Sequence, residues 1–115
     1  MSKRNQKLFL QDILESIEKI ESYTANLEFE EFLANEMVKY AVIRNFEVIG
    51  EASTHISGKL KSKYPSIPWN KVKSMRNFVA HEYFGINYDV IWETIKKFLP
   101  DLKTKISKVI AQESD

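Results

Sequence analysis

The sequence predicts an all-α protein, an up-and-down helical bundle of four to five helices in a single domain spanning residues 1–115. Three observations predict it. Only three glycines and three prolines punctuate the chain. Apolar residues recur at three- and four-residue spacing, and alternating strand-like runs are absent. The length, with 43% hydrophobic and 29% charged residues, suits one globular domain that buries a core.

The first helix is expected over residues 4–23. Leu10, Ile13, Leu14, Ile17 and Ile20 form one stripe, while Asp12, Glu15, Glu18, Lys19 and Glu21 take the opposite side. TANLEFEEFLAN (24–35) reads as a connection with a short helical turn. A second helix follows over about 36–57, with Gly58 as its stop and SGKLKSKYPSIPW as a connector. Pro68 or its neighbour opens a third helix over 69–84, because proline suits a first helical turn. Gly85 ends it, and Asn87 can cap the fourth, which carries Val90, Ile91, Ile95, Phe98 and Leu99. Pro100 is expected to kink that helix or to split off a last segment with Leu102, Ile106, Val109 and Ile110.

Several function classes fit poorly. No apolar run approaches the ~20 residues that a membrane span needs. The basic start of MSKRNQKLFLQDILESIEK is soon interrupted by acids, unlike a signal peptide. The absence of cysteine excludes disulfides and thiolate metal sites and fits a cytoplasmic protein. His55 and His81 are the only histidines, too far apart in sequence for a zinc site, so no metal is expected. His55, at a helix end, reads as a surface residue or one that weakly faces nucleic acid. No glycine-rich phosphate loop or serine elbow is present, and Glu47 and Glu51 on one helix do not make a hydrolytic carboxylate pair.

The net charge of +1 conceals an asymmetry. Residues 1–58 hold six Lys/Arg against ten Asp/Glu, and residues 59–115 hold eleven against six. Residues 52–81 contain no acid at all, but carry Lys59, Lys61, Lys63, Lys71, Lys73 and Arg76 and end on His81. Such a segment suits an anionic partner, nucleic acid above all, with Lys71 and Lys73 as candidate RNA contacts. It equally fits a lysine-rich solvated connector.

RNFVAHEYFGIN (76–87) concentrates polar chemistry among apolar residues. On a wheel of the third helix, Trp69, Val72, Met75, Val79 and Tyr83 share one side, with Arg76 in their midst. An arginine cannot shed its charge, so it needs a carboxylate or the mouth of a cleft. Asn70, Ser74, Asn77 and His81 share the polar side. Arg76 and His81 lie ~140° apart and do not stack directly, so a shared site needs a second helix or a second subunit. On the second helix Tyr40, Arg44, Glu47 and Glu51 form a stripe, and Glu47 and Glu51 are candidate partners that position Arg76. The same stripe also fits an ordinary intrahelical ion-pair row. Asn45 falls on the apolar face and needs hydrogen-bond partners.

Arg76-Asn77-Phe78-Val79-Ala80-His81 resembles the R-N-x-x-x-H signature of HEPN domains, and Glu82-Tyr83 extends it to the R-x4-H-x-Y of the HepT-like branch. AVIRNFEVIGEAS (41–53), YPSIPW (64–69) and VIWETIKKFLPDL (90–102) resemble further blocks of that branch in the same order. Asn87, where the branch often has Asp, and Phe46, where it often has Leu, depart from the pattern. The resemblance implies a helical bundle that forms a homodimer, and a metal-independent, cofactor-free endoribonuclease toxin of a toxin–antitoxin pair. It implies Arg76 and His81 as catalytic residues, Asn77 as motif support, and Tyr83 as the residue that a nucleotidyltransferase antitoxin adenylylates. Two other readings stay open: a non-catalytic helical module binding a nucleotidyltransferase or nucleotides, and an RNA-binding dimer without cleavage.

Overall fold

The computed structural model describes residues 5–78, 85 and 87–113, and every regular element among them is helical. The elements are α1 (Gln6–Thr24), α2 (Phe29–Ala34), α3 (Glu36–Thr54), α4 (Gly58–Lys63), α5 (Trp69–Ser74), which tightens into a 3-10 turn (Met75–Asn77), α6 (Tyr88–Glu93), a π turn (Thr94–Phe98) and α7 (Leu99–Gln112). The all-α fold class agrees with the sequence reading.

The expected stripe builds the centre. Leu10, Ile13, Ile17 and Ile20 of α1 are fully buried. They pack chiefly on α3, which supplies Val42, Ile43, Phe46 and Ile49, and then on α7, which supplies Leu99, Leu102, Ile106 and Val109. Each such side chain contributes roughly 1.5–3 kcal/mol by leaving water. α2 inserts Phe32 beside Trp92 of α6, with ring centroids 5.0 Å apart.

The helix ends show the local chemistry. Asn5 caps α1 through the Lys7 N–H, and Asn35 caps α3 through the Val38 N–H. Asn87 accepts from the N–H groups of Asp89 and Val90, as expected for the start of α6. Gly85 has φ +91°, the left-handed conformation expected of a residue that ends a helix; residues 79–84, where the third helix was expected to finish, lie outside the described residues.

Two boundaries depart from expectation. Gly58 is not a stop: α3 ends at Thr54, and Gly58 opens α4 because the Ser57 hydroxyl accepts from the Leu60 N–H. The connector thus contains a helical turn of its own, which buries Leu60. Pro100 does not split the last helix. Its missing N–H and its ring are incompatible with an ordinary turn onto the Lys96 carbonyl. The π turn widens the helix there, with the Leu99 N–H donating to the Thr94 carbonyl, and α7 continues directly.

Candidate active site around Arg76

Arg76 sits in the 3-10 turn that ends α5, beside α3. Gly50 makes this approach possible. A Cβ on Gly50 would stand 2.5 Å from the Arg76 backbone nitrogen, 2.6 Å from the Arg76 Cβ and 2.9 Å from the Lys73 carbonyl oxygen. Backbone touches backbone here, so only glycine fits. The sequence reading passed over Gly50, although a glycine inside an otherwise apolar, well-formed helix was the available signal.

Next to that contact, Arg76 Nη1 donates to Glu51 Oε2 at 3.3 Å. The two side chains are 37% and 55% exposed, so the pair is worth about 0–1 kcal/mol at most and orients the guanidinium more than it stabilises the fold. Of the two carboxylates expected to position Arg76, Glu51 reaches it. Glu47 instead accepts from Arg44 Nη1 at 2.8 Å, so that pair is the intrahelical ion pair. Arg76 is therefore neither core nor free: it stands half-buried on the rim of the apolar side, whose Val72 and Met75 are buried.

Asn77 is exposed on the following position, and Asn70 and Ser74 are exposed with it. Asn45 resolves its burial locally by donating to the Ala41 carbonyl at 2.9 Å. Phe78 meets the buried ring of Phe46 edge-on, with centroids 5.1 Å apart, and so locks the 3-10 turn to α3. His81 and Tyr83, the other two predicted site residues, lie outside the described residues. His55 is a surface residue, as expected, with its ring stacked 5.0 Å from that of Phe9.

The two predicted lysines diverge. Lys71 points to α6 and the π turn: its ammonium lies 4.2 Å from the Phe98 ring centroid, along a groove of about 460 Å³ that Met75, Phe78, Val90 and Glu93 also line. Neither Arg76 nor Glu51 lines that groove. Lys73 is exposed on the other side of α5, with Arg76 three residues on. Among the described residues, no helix is long and apolar enough to cross a membrane.

The comparisons with known proteins bear on this geometry. Residues 13–109 match the sequence model of the HepT-like ribonucleases, a span that includes α3, α5 and the Arg76 turn. The chain is 46% identical over 110 residues to "Putative RNase MJ1216" of Methanocaldococcus jannaschii, covering 96% of this chain and 91% of that protein. It is 42% identical to "Putative RNase MJ1380" of the same organism, covering 95% of this chain and 100% of that protein. A "Probable ribonuclease HepT" of Thermococcus cleftensis is 44% identical, with 93% and 97% covered. No solved structure matches significantly. A family model and relatives that span nearly the whole chain leave one conclusion: this protein belongs to the HepT-like ribonucleases, a family of RNA-cleaving enzymes.

Proposed function

We propose that this chain is a metal-independent endoribonuclease toxin that cuts RNA with Arg76 and His81 and is silenced when a nucleotidyltransferase antitoxin adenylylates Tyr83. The observation that carries the reading is the family match across residues 13–109, which contains the whole Arg-x4-His-x-Tyr spacing. The half-exposed guanidinium of Arg76, held by a weak surface pair, supports it.

The chemistry needs few groups. The ribose 2′-oxygen attacks the adjacent phosphorus and loses its proton to a base, while the bond from phosphorus to the 5′-oxygen breaks and the leaving oxygen takes a proton. The product is a 2′,3′-cyclic phosphate and a free 5′-hydroxyl. Histidine titrates near neutral pH and serves as either proton carrier, which is the role of His81. Arg76 holds the phosphate bidentately and stabilises the charge that develops on its oxygens. Asn77 supports the motif, Glu51 positions Arg76, Lys73 meets the RNA backbone beside it, and Lys71 meets a more remote phosphate from the Phe98 side. One motif histidine per chain favours a homodimer in which two sites face a common groove. An adenylyl group on Tyr83 adds negative charge and bulk that competes with RNA.

Expression of the wild type against His81→Ala, with and without an adjacent nucleotidyltransferase, tests the reading. Wild type is expected to cleave RNA in the presence of chelator and to arrest growth unless the transferase is present. His81→Ala is expected to fold and to do neither. Cleavage by pure His81→Ala protein removes the role of His81. Folded wild type that binds the transferase but never cuts RNA establishes the non-catalytic module instead.

A further inference from the structure

Several lysines have a carboxylate within reach. Lys19 pairs with Glu15, Lys39 with Glu36, Lys97 with Glu93 and Lys103 with Glu21. Even within the acid-free segment, Lys63 finds Glu113 at 2.8 Å. Lys61 and Lys73, like Lys59, Lys71, Lys96 and Lys108, have no ion pair among the described residues, but these two flank one aromatic ring. Lys61 comes from α4 and holds its ammonium 5.9 Å from the ring centroid of Trp69, at the start of α5. Trp69, Lys73 and Arg76 stand at i, i+4 and i+7, one ridge of α5 and its 3-10 extension. The ridge therefore runs from an aromatic ring with a lysine over it, through a second lysine, to the guanidinium beside Glu51.

We infer that Lys61 and Lys73, flanking Trp69, form a phosphate-binding subsite for the RNA strand next to the phosphate that Arg76 holds, an inference that rests on the ribonuclease reading. Lys61 over the Trp69 ring and Lys73 one turn along from it set two ammonium groups about one ring with no carboxylate partner among the described residues, and a phosphate placed between them gains two attractions. Lys61 responds already: partial burial, then the charge of Lys73, holds its ammonium below the usual lysine pKa. A basic track with an aromatic ring alongside is the arrangement that suits single-stranded nucleic acid with little sequence preference. An acidic protein surface needs complementary carboxylates in a fixed pattern. The ridge offers one narrow line of cations, which fits a strand better. Rise along the ridge places Lys73 ~4.5–6 Å before Arg76, so the subsite and the reacting phosphate belong to one continuous strand.

The test measures binding of a short single-stranded RNA to His81→Ala protein, the proposed cleavage-dead background, across a range of salt from about 50 to 200 mM. Lys61→Gln and Lys73→Gln are each expected to lower the slope of log affinity against log salt by about 0.7, and the double variant by about 1.4. Lys61→Arg and Lys73→Arg are expected to restore it, and Lys19→Gln, on α1, to leave it alone. Thermal unfolding of each variant guards against misfolding. Unchanged slopes in the Gln variants overturn the subsite, as do variants that lose binding only to an acidic protein. Cleavage by the unmutated parent is assayed separately: a parent that cuts RNA with slopes unmoved removes the subsite alone, and a parent that never cuts RNA removes the ribonuclease reading.

Discussion

Replacing Gly50 by alanine tests the junction that carries Arg76. In an exposed helix interior this exchange stabilises by about 0.5–1 kcal/mol, because alanine has less backbone freedom to lose. At Gly50 the new methyl meets the Arg76 nitrogen at 2.5 Å and its Cβ at 2.6 Å. Neither atom belongs to a flexible side-chain end, so no rotamer change relieves the clash. α3 and the 3-10 turn must separate by roughly 1 Å to regain ordinary carbon contact of about 3.5 Å. Forcing a methyl into such a site costs about 1–3 kcal/mol, and here the upper part of that range applies. Net of the helical gain, Gly50→Ala is expected to lose about 2 kcal/mol, which lowers Tm by ~8 °C in a domain of this size. Gly58 provides the control, since a Cβ there meets nothing within 4 Å. Gly58→Ala is expected to raise stability by about 0.4–1 kcal/mol. Calorimetry reads both, and RNA cleavage well below the lowered Tm reads the displacement of Arg76. A Gly50→Ala protein as stable as Gly58→Ala refutes the close approach.

Other perturbations follow from the same geometry. Glu51→Gln is expected to change stability by less than ~1 kcal/mol in denaturant unfolding, yet to lower kcat for RNA cleavage by loosening Arg76. Asn87→Ala removes the cap on α6 and is expected to cost about 1 kcal/mol, read as a lower urea midpoint. Phe46→Ala is expected to cost about 3–5 kcal/mol, because a fully buried ring leaves a cavity under Phe78. Glu113 accepts from Lys63 and from the Tyr64 hydroxyl, which hold its carboxyl below the usual carboxylate range. A depressed carboxyl stabilises the fold above its unfolded pKa, and that contribution is lost as pH falls through the folded value. The Tm difference between wild type and Glu113→Gln is therefore expected at neutral pH and should vanish in acid well below 4.5.

The sequence was most legible where periodicity alone decides. α1 and the buried half of α7 follow from the spacing of Leu10, Ile13, Ile17 and Ile20 and of Leu102, Ile106 and Val109. Caps were legible as well: Asn87 does what an asparagine before an apolar run does. Gly58 misled because glycine ends helices more often than it opens them, and Ser57 reversed the sign by capping from the N-terminal side. Of the two outcomes expected at Pro100, a kink or a split, the split does not occur, because a π turn satisfies the backbone and the helix runs on. Within the site, the need of Arg76 for a carboxylate was legible from its unremovable charge. Which carboxylate was not, because Glu47 and Glu51 are equivalent on a wheel and only the crossing of α3 with α5 separates them. That crossing is set by Gly50, a residue with no side chain to announce it.

The weakness of the Arg76–Glu51 pair is itself informative about the proposed reaction. A guanidinium locked in a buried pair at ideal geometry costs several kcal/mol to release. One that gives only Nη1 to an exposed carboxylate, in a single 3.3 Å contact worth about 0–1 kcal/mol, keeps its other N–H donors for a phosphate. A charge-assisted bond from those donors contributes about 1.5–3 kcal/mol, so Arg76 takes the substrate while Glu51 still holds its orientation. Glu51 also stays near the bound phosphate, where its charge opposes RNA binding. Removing that charge without removing the side chain should therefore tighten RNA binding while the less ordered Arg76 slows turnover. Glu51→Gln is expected to lower KM and kcat together, measured on one RNA substrate under the same salt. A rise in KM at unchanged kcat contradicts the argument, because it assigns Glu51 to substrate binding and leaves the orientation of Arg76 independent of it.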